Sequence, residues 1–162
     1  MNPTTNIAIR AARQAGNVIM RSFSRLDSLA VSEKQANDYV SEVDRNAEQA
    51  IIDTIRKAYP GHAILAEESG VHGKDAYQWI VDPLDGTTNY LHGFPQFAIS
   101  IALAHRGRLE SAVVYDPLRD EMYTADRGAG ALLNDRRLRV TEQKGLKGAL
   151  LGTGIPFRDQ RF

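Results

Sequence analysis

Apolar residues recur at helical spacing in two stretches near the start of the chain. Between 3 and 23, Ile7, Ala11, Ala15, Val18 and Ile19 form one stripe while Arg10, Arg13, Gln14 and Asn17 face away, which predicts an amphipathic helix. Asn2 can cap it and Pro3 suits its first position. The pattern is lost over 24–40, where Lys34-Gln35-Ala36-Asn37-Asp38 reads as a loop. Ser41 then stands three residues before Asp44, close to a capping box. Val43, Ala47, Ile51, Ile55 and Ala58 mark a second helix, stopped by Tyr59-Pro60-Gly61. On this reading Asp44 lies at the helix N-terminus and complements its dipole.

Strand patterns take over after Gly61. Ala63-Ile64-Leu65-Ala66 predicts a short strand running into Glu67-Glu68-Ser69-Gly70, and 71–77 reads as a polar loop. Trp79-Ile80-Val81 predicts the next strand, which Pro83 should end, since proline fixes φ and offers the ladder no donor. Over Phe97–His105, bulky Phe97, Ile99, Ile101 and Leu103 alternate with Ala98, Ser100, Ala102 and Ala104. That predicts a strand buried on both sides, with close packing on the small face. Leu109–Tyr115 and Glu121–Ala125 continue an antiparallel meander. Arg127-Gly128-Ala129-Gly130-Ala131 follows a meander strand rather than opening a helix, so it reads as a tight loop and not a phosphate cradle. Gly148–Gly154 reads as a final strand. Two helices followed by a largely antiparallel sheet make an α+β fold, expected as one domain over 1–162.

Composition narrows the function classes. At 162 residues and 43% hydrophobic, the chain can bury a real core. Lys plus Arg and Asp plus Glu are both 20, so there is no whole-chain footprint for nucleic acid. The one dense basic cluster, Asp135–Arg139, reads as a solvated strand edge or turn. The chain has no cysteine, which excludes disulfides and thiolate metal sites. Neither a signal peptide nor a run of membrane-spanning length is present, so the expectation is a soluble cytoplasmic protein without a membrane partner.

Two consecutive strands thus end in carboxylates: Glu67 and Glu68 after the first, Asp82 and Asp85 after the second. Neighbours in a strand face opposite sides, so only one of Glu67 and Glu68 can aim at a given point. Converging carboxylates repel each other unless a cation separates them. With no Cys or His in the stretch, the implied ion is hard: Mg²⁺, Mn²⁺ or Ca²⁺. Gly86 can take positive φ, and Thr87 and Thr88 add hydroxyls. A site at strand ends is the pattern.

Glu67-Glu68-Ser69 followed by Trp79-Ile80-Val81-Asp82-Pro83-Leu84-Asp85-Gly86-Thr87-Thr88-Asn89 resembles the inositol monophosphatase family, most closely its bacterial SuhB-type branch. Lys34, Asp38, Val43-Asp44, Gly128, Gly130 and Asn134 fit the same resemblance. It implies the N-terminal half of a layered αβαβα fold, and a Mg²⁺-dependent, homodimeric phosphomonoesterase acting on inositol phosphates. Carried over, Glu67, Asp82 and the Leu84 carbonyl hold a first Mg²⁺, and Asp82 and Asp85 a second. Gly86 and Thr87 amides touch the phosphate. The Thr87 hydroxyl and Asp44 orient and deprotonate the attacking water, which replaces the dipole role for Asp44. Glu68 is the outer member. The family's later W-D-x-A aspartate and a glycine-serine-alanine segment are not among these 162 residues, so this stretch alone is expected to be inactive or nearly so. The branch further implies transcription-machinery partners in antitermination and ribosomal RNA synthesis, engaged by protein–protein binding.

Overall fold

The computed structural model describes residues 2–26 and 33–152, with only the backbone described at 26 and 33–41. Helices α1 (Pro3–Leu26) and α2 (Glu33–Ala58) precede strands β1 (Ala63–Ala66), β2 (Gly70–His72), β3 (Tyr77–Asp85), β4 (Ala98–His105), β5 (Arg108–Asp116), β6 (Glu121–Asp126), β7 (Gly130–Leu133) and β8 (Arg136–Arg137). A short α3 (Thr87–Leu91) separates β3 from β4. The strands form one sheet in the order β2-β1-β3-β4-β5-β6-β7-β8. Only β1 and β3 are parallel; every other neighbouring pair is antiparallel. This is the α+β arrangement that the two periodicities imply.

Both long helices lie on one face of the sheet, α1 over β4, β5 and β6 and α2 over β3. Ala8, Ala11, Ala12, Ala15 and Ile19 of α1 and Val43, Ala47, Ile51 and Ile55 of α2 are buried against Trp79, Val81, Ile99, Ile101 and Val113. The small residues let the helices approach closely. At Gly16 the approach reaches its limit: a Cβ there would lie 2.7 Å from Cε1 of Tyr115. The first turn of α1 has no acidic residue of its own. Asp126 of β6 supplies one, accepting the Asn2 amide at 3.2 Å and the Thr5 hydroxyl. Trp79, on β3, is fully buried and donates its indole N–H to Nδ1 of His62 at 3.1 Å.

Several elements depart from the pattern-based expectation. α2 starts at Glu33, so 33–40 are helical rather than a loop. Glu33, Lys34, Gln35 and Ala36 are strong helix formers, and propensity extends the helix through residues with no apolar stripe. Ser41 and Asp44 therefore lie inside the helix, and neither the capping box nor the dipole role applies. β3 runs through Pro83 to Asp85 instead of stopping at Asp82. β1 ends opposite Val81, so β3 has a single ladder from there on. Its register with β4 shifts between Asp82 and Asp85, which leaves Pro83 out of the pairing.

The 71–77 stretch contains part of β2, paired with β1. Thr87–Leu91 is helical, which the polar motif concealed. On β4 the bulky residues are buried but the small face is only half-covered, beside Leu65, Ile80 and Val114 at 38%, 38% and 41% exposure. No described element packs on that face. Ala149–Gly152 form no strand, and Thr153 and Gly154 lie outside the described residues. Leu150 and Leu151 are apolar enough for a strand, but no described sheet edge takes them up. The arginine cluster does form an exposed edge strand, β8, and the glycine-rich loop is the β6–β7 turn. Among the described residues no helix is long and apolar enough to cross a membrane.

Candidate functional site

The parallel pairing of β1 and β3 sets the site. Ala66 is the register partner of Val81, and the Glu67 amide donates to the Val81 carbonyl at 3.1 Å. Glu67 therefore emerges beside Asp82, within reach of a carboxyl–carboxyl hydrogen bond. Packed over these strand ends, α2 adds Asp44 and, one turn later, Glu48, only 5% and 3% exposed. Glu67, Glu68, Asp85 and Thr87 are exposed at the rim.

The electrostatics show excess negative charge. Asp44 is pushed up from 3.8 to about 7, first by burial and then by the charges of Glu68, Glu67, Asp82 and Glu48. Asp82 is also raised, first by burial, then by its hydrogen bond and charge interaction with Glu67 and by the charge of Asp85. The Leu84 amide, donating to Oδ1 of Asp82 at 3.2 Å, works in the opposite direction. Carboxylates held this close to neutrality are those a cation would ionise.

The donor set is all oxygen, which suits a hard ion. Among the described residues no three carboxylates or imidazoles form a ready metal cage. Glu67 and Asp82 are a pair, and the Leu84 carbonyl accepts the Thr87 hydroxyl at 2.9 Å. A pair still fits Mg²⁺, which keeps several waters and needs few protein oxygens.

Gly86 adopts φ 95°, ψ 32° at the start of α3. A Cβ there would meet the Gln96 carbonyl at 2.8 Å, so only glycine fits. The turn delivers Thr87 directly after Asp85. Tyr90, fully buried, anchors α3 by donating its hydroxyl to the Ile19 carbonyl at 3.1 Å and packing edge-on against Phe97.

The structure thus gathers Asp44, Glu67, Glu68 and Asp82, with Asp85, Gly86 and Thr87 following on the same segment. Lys34 and Asp38 lie on α2, with side chains outside the described set. Gly128, Gly130 and Asn134 belong to the β6–β8 turns instead. There Asn134 accepts the Met122 amide at 2.8 Å and donates to the Asp120 carbonyl at 3.0 Å.

Sequence reasoning missed Glu48. Its carboxylate accepts the Glu68 amide at 2.8 Å and the Ser69 amide at 3.1 Å. The available signal was spacing: Asp44 and Glu48 stand four residues apart, then Ile51 and Ile55, so two acids continue a buried stripe.

Compared with known proteins, residues 1–161 match the model of the inositol monophosphatase family. The chain is 60% identical over 167 residues to the Nus factor SuhB of Pseudomonas aeruginosa, covering all of this chain and 61% of that protein. The crystal structure of the extragenic suppressor protein suhB of Bartonella henselae superposes with a TM-score of 0.78 at 46% identity, over 88% of this chain and 56% of that one. The inositol monophosphatase of Anabaena (Nostoc) gives a TM-score of 0.76 at 36% identity, over 88% and 51%. The chain therefore spans about three-fifths of the length of the curated relative it matches.

Proposed function

This chain belongs to the inositol monophosphatase family, and from that premise we propose that it is the metal-binding N-terminal half of a Mg²⁺-dependent phosphomonoesterase that hydrolyses inositol 1-phosphate. The observation carrying the reading is the register of β1 and β3, which sets Glu67 beside Asp82 under a buried Asp44. In this role Glu67, Asp82, Asp85 and the Leu84 carbonyl hold the ions. Bound there, Mg²⁺ supplies the positive charge that screens a phosphate dianion from its nucleophile. The Gly86 and Thr87 amides, at the glycine turn, donate to phosphate oxygens. The Thr87 hydroxyl donates its hydrogen bond to the Leu84 carbonyl, which leaves its oxygen lone pairs to accept from the attacking water. Asp44 takes the proton that this water loses. The intact protein is a homodimer on this reading.

The test is phosphate release from inositol 1-phosphate by the full-length protein, with Mg²⁺ and with chelator. Asp82→Asn should cut turnover by at least about a hundredfold, since several kcal/mol of charge stabilisation depends on the metal. Turnover that survives both Asp82→Asn and chelation would overturn the reading.

A second reading is favoured by the 60% identity to a protein named as a Nus factor. It makes the intact protein a binding partner of the transcription machinery, alongside or instead of catalysis. Asp82→Asn separates the two: a binding role persists in the folded variant, whereas a metal-dependent one is lost with the phosphatase.

A further inference from the structure

We propose that Glu48 is a positioning residue for the cation site, holding the Glu67–Ser69 turn so that Glu67 stays directed at Asp82. This rests on the phosphatase reading above. β1 ends at Ala66 and β2 begins at Gly70, its register partner, so three residues reverse the chain and Glu67 is the first of them. One side of the turn is fixed by the Glu67 amide on the Val81 carbonyl at 3.1 Å. The other side is fixed by Glu48, with Oε2 on the Glu68 amide at 2.8 Å and Oε1 on the Ser69 amide at 3.1 Å. Using both oxygens on successive amides sets the direction of the turn as well as its distance from α2.

A plain structural role explains this poorly. Glu68 and Ser69 are exposed residues in a turn whose amide bonds are only part-buried, so those two amides do not by themselves demand a buried carboxylate. Burying a carboxylate to 3% exposure among Asp44, Glu67 and Glu68 is unfavourable in charge and solvation. What the arrangement gains is orientation. Glu48 is carried by a 26-residue helix that also carries Asp44 one turn earlier, so a single rigid element places the base and steers the metal ligand. Groups that orient a ligand without touching the ion tune metal affinity, and Glu48 acts in this way through the turn that carries Glu67.

The experiment measures Mn²⁺ binding to the full-length protein by electron paramagnetic resonance, with hydrogen exchange at the Glu68 and Ser69 amides. Glu48→Gln keeps the volume but turns an NH₂ towards one of the two amides. It should raise the Kd for Mn²⁺ about tenfold and speed exchange at both amides. Glu68→Gln removes the same charge from the cluster without removing any bond to the turn, and should weaken binding less. Glu48→Asp keeps the charge but is one methylene short; it should also weaken binding, and it decides the matter if Glu48→Gln does not fold. Variants at Glu48 that bind Mn²⁺ like the wild type, or a Glu48→Gln loss equal to that of Glu68→Gln, overturn the proposal. So does a lowered melting temperature in chelator with Mn²⁺ affinity unchanged, the mark of a purely structural residue. A wild-type protein that binds no Mn²⁺ is a separate failure, that of the phosphatase reading itself.

Discussion

His62 lies between two tyrosine rings, 4.7 Å from Tyr59 and 4.9 Å from Tyr77, and Tyr77 stacks in turn on His105 at 4.1 Å. Its Nδ1 accepts the Trp79 indole proton, so that nitrogen can gain a proton only by giving up the bond. Burial pushes its pKa below the ordinary 6.5, with Asp75 pulling weakly the other way. The sign follows from linkage: the unfolded chain binds this proton more readily, so the folded state loses stability as pH falls below 6.5. Asp44 and Asp82, whose pKa values are raised, stabilise the fold as pH falls through about 7 and oppose this effect. The expected outcome is therefore a difference: from pH 8 to pH 5 the melting temperature of His62→Gln should change less unfavourably than that of the wild type. Equal slopes would show that His62 does not contribute. At this scale the sequence was informative about charge and silent about neighbours. Glu67, Asp82 and Asp85 could be read as candidate ligands from their positions at strand ends. Spacing could have put Glu48 on the buried stripe with Asp44, but not its role, because its partners are backbone amides 20 and 21 residues away.

Elements were legible where an apolar stripe or an alternation marked them, and obscured where propensity or a neighbour decided. α1, the core of α2 and the meander follow from periodicity. The start of α2 does not, since Glu33–Ala36 favour helix without presenting an apolar face. β3 persists through Pro83 because β1 has already ended, a fact about the neighbouring strand that no local pattern in β3 contains. Gly16 shows the same limit inside a helix. Replacing a helix-interior glycine by alanine normally gains roughly 0.5–1 kcal/mol. Here the added methyl would sit 2.7 Å from the Tyr115 ring. That ring is held by its hydroxyl on Asp120 at 2.9 Å and by Arg13, whose guanidinium lies 5.7 Å from its centroid. Overpacking against a fixed ring costs about 1–3 kcal/mol, so Gly16→Ala should lower the denaturation midpoint despite the better helix former. A rise would mean that Tyr115 moves aside.

For the molecule as a whole, the sheet is covered by helices on one face and left open on the other. Leu65 and Ile80 are register partners on neighbouring strands, and with Val114 they leave apolar area facing water. Apolar surface of this sort marks an interaction site or an aggregation liability. The alternation along β4 predicts close cover on the small face, and among the described residues that cover is not found. The 162-residue chain should bind a hydrophobic dye and self-associate, and a variant carrying Leu65→Ser and Ile80→Ser should do both less. Dye fluorescence and size-exclusion chromatography at matched concentration check this, and equal behaviour of the two proteins would count against it.

The buried Trp79 has a practical consequence. It is the chain's one tryptophan, fully shielded from water, with its N–H tied to an imidazole and its backbone three residues before Asp82. These 162 residues therefore carry a single tryptophan, whose emission is separated by red-edge excitation from that of the six tyrosines. Its emission colour reports whether the sheet is intact. Its brightness should change as Nδ1 of His62 takes a proton, since that breaks the indole hydrogen bond. Folding and titration can be followed in one spectrum, without a label and without altering any residue at the carboxylate cluster.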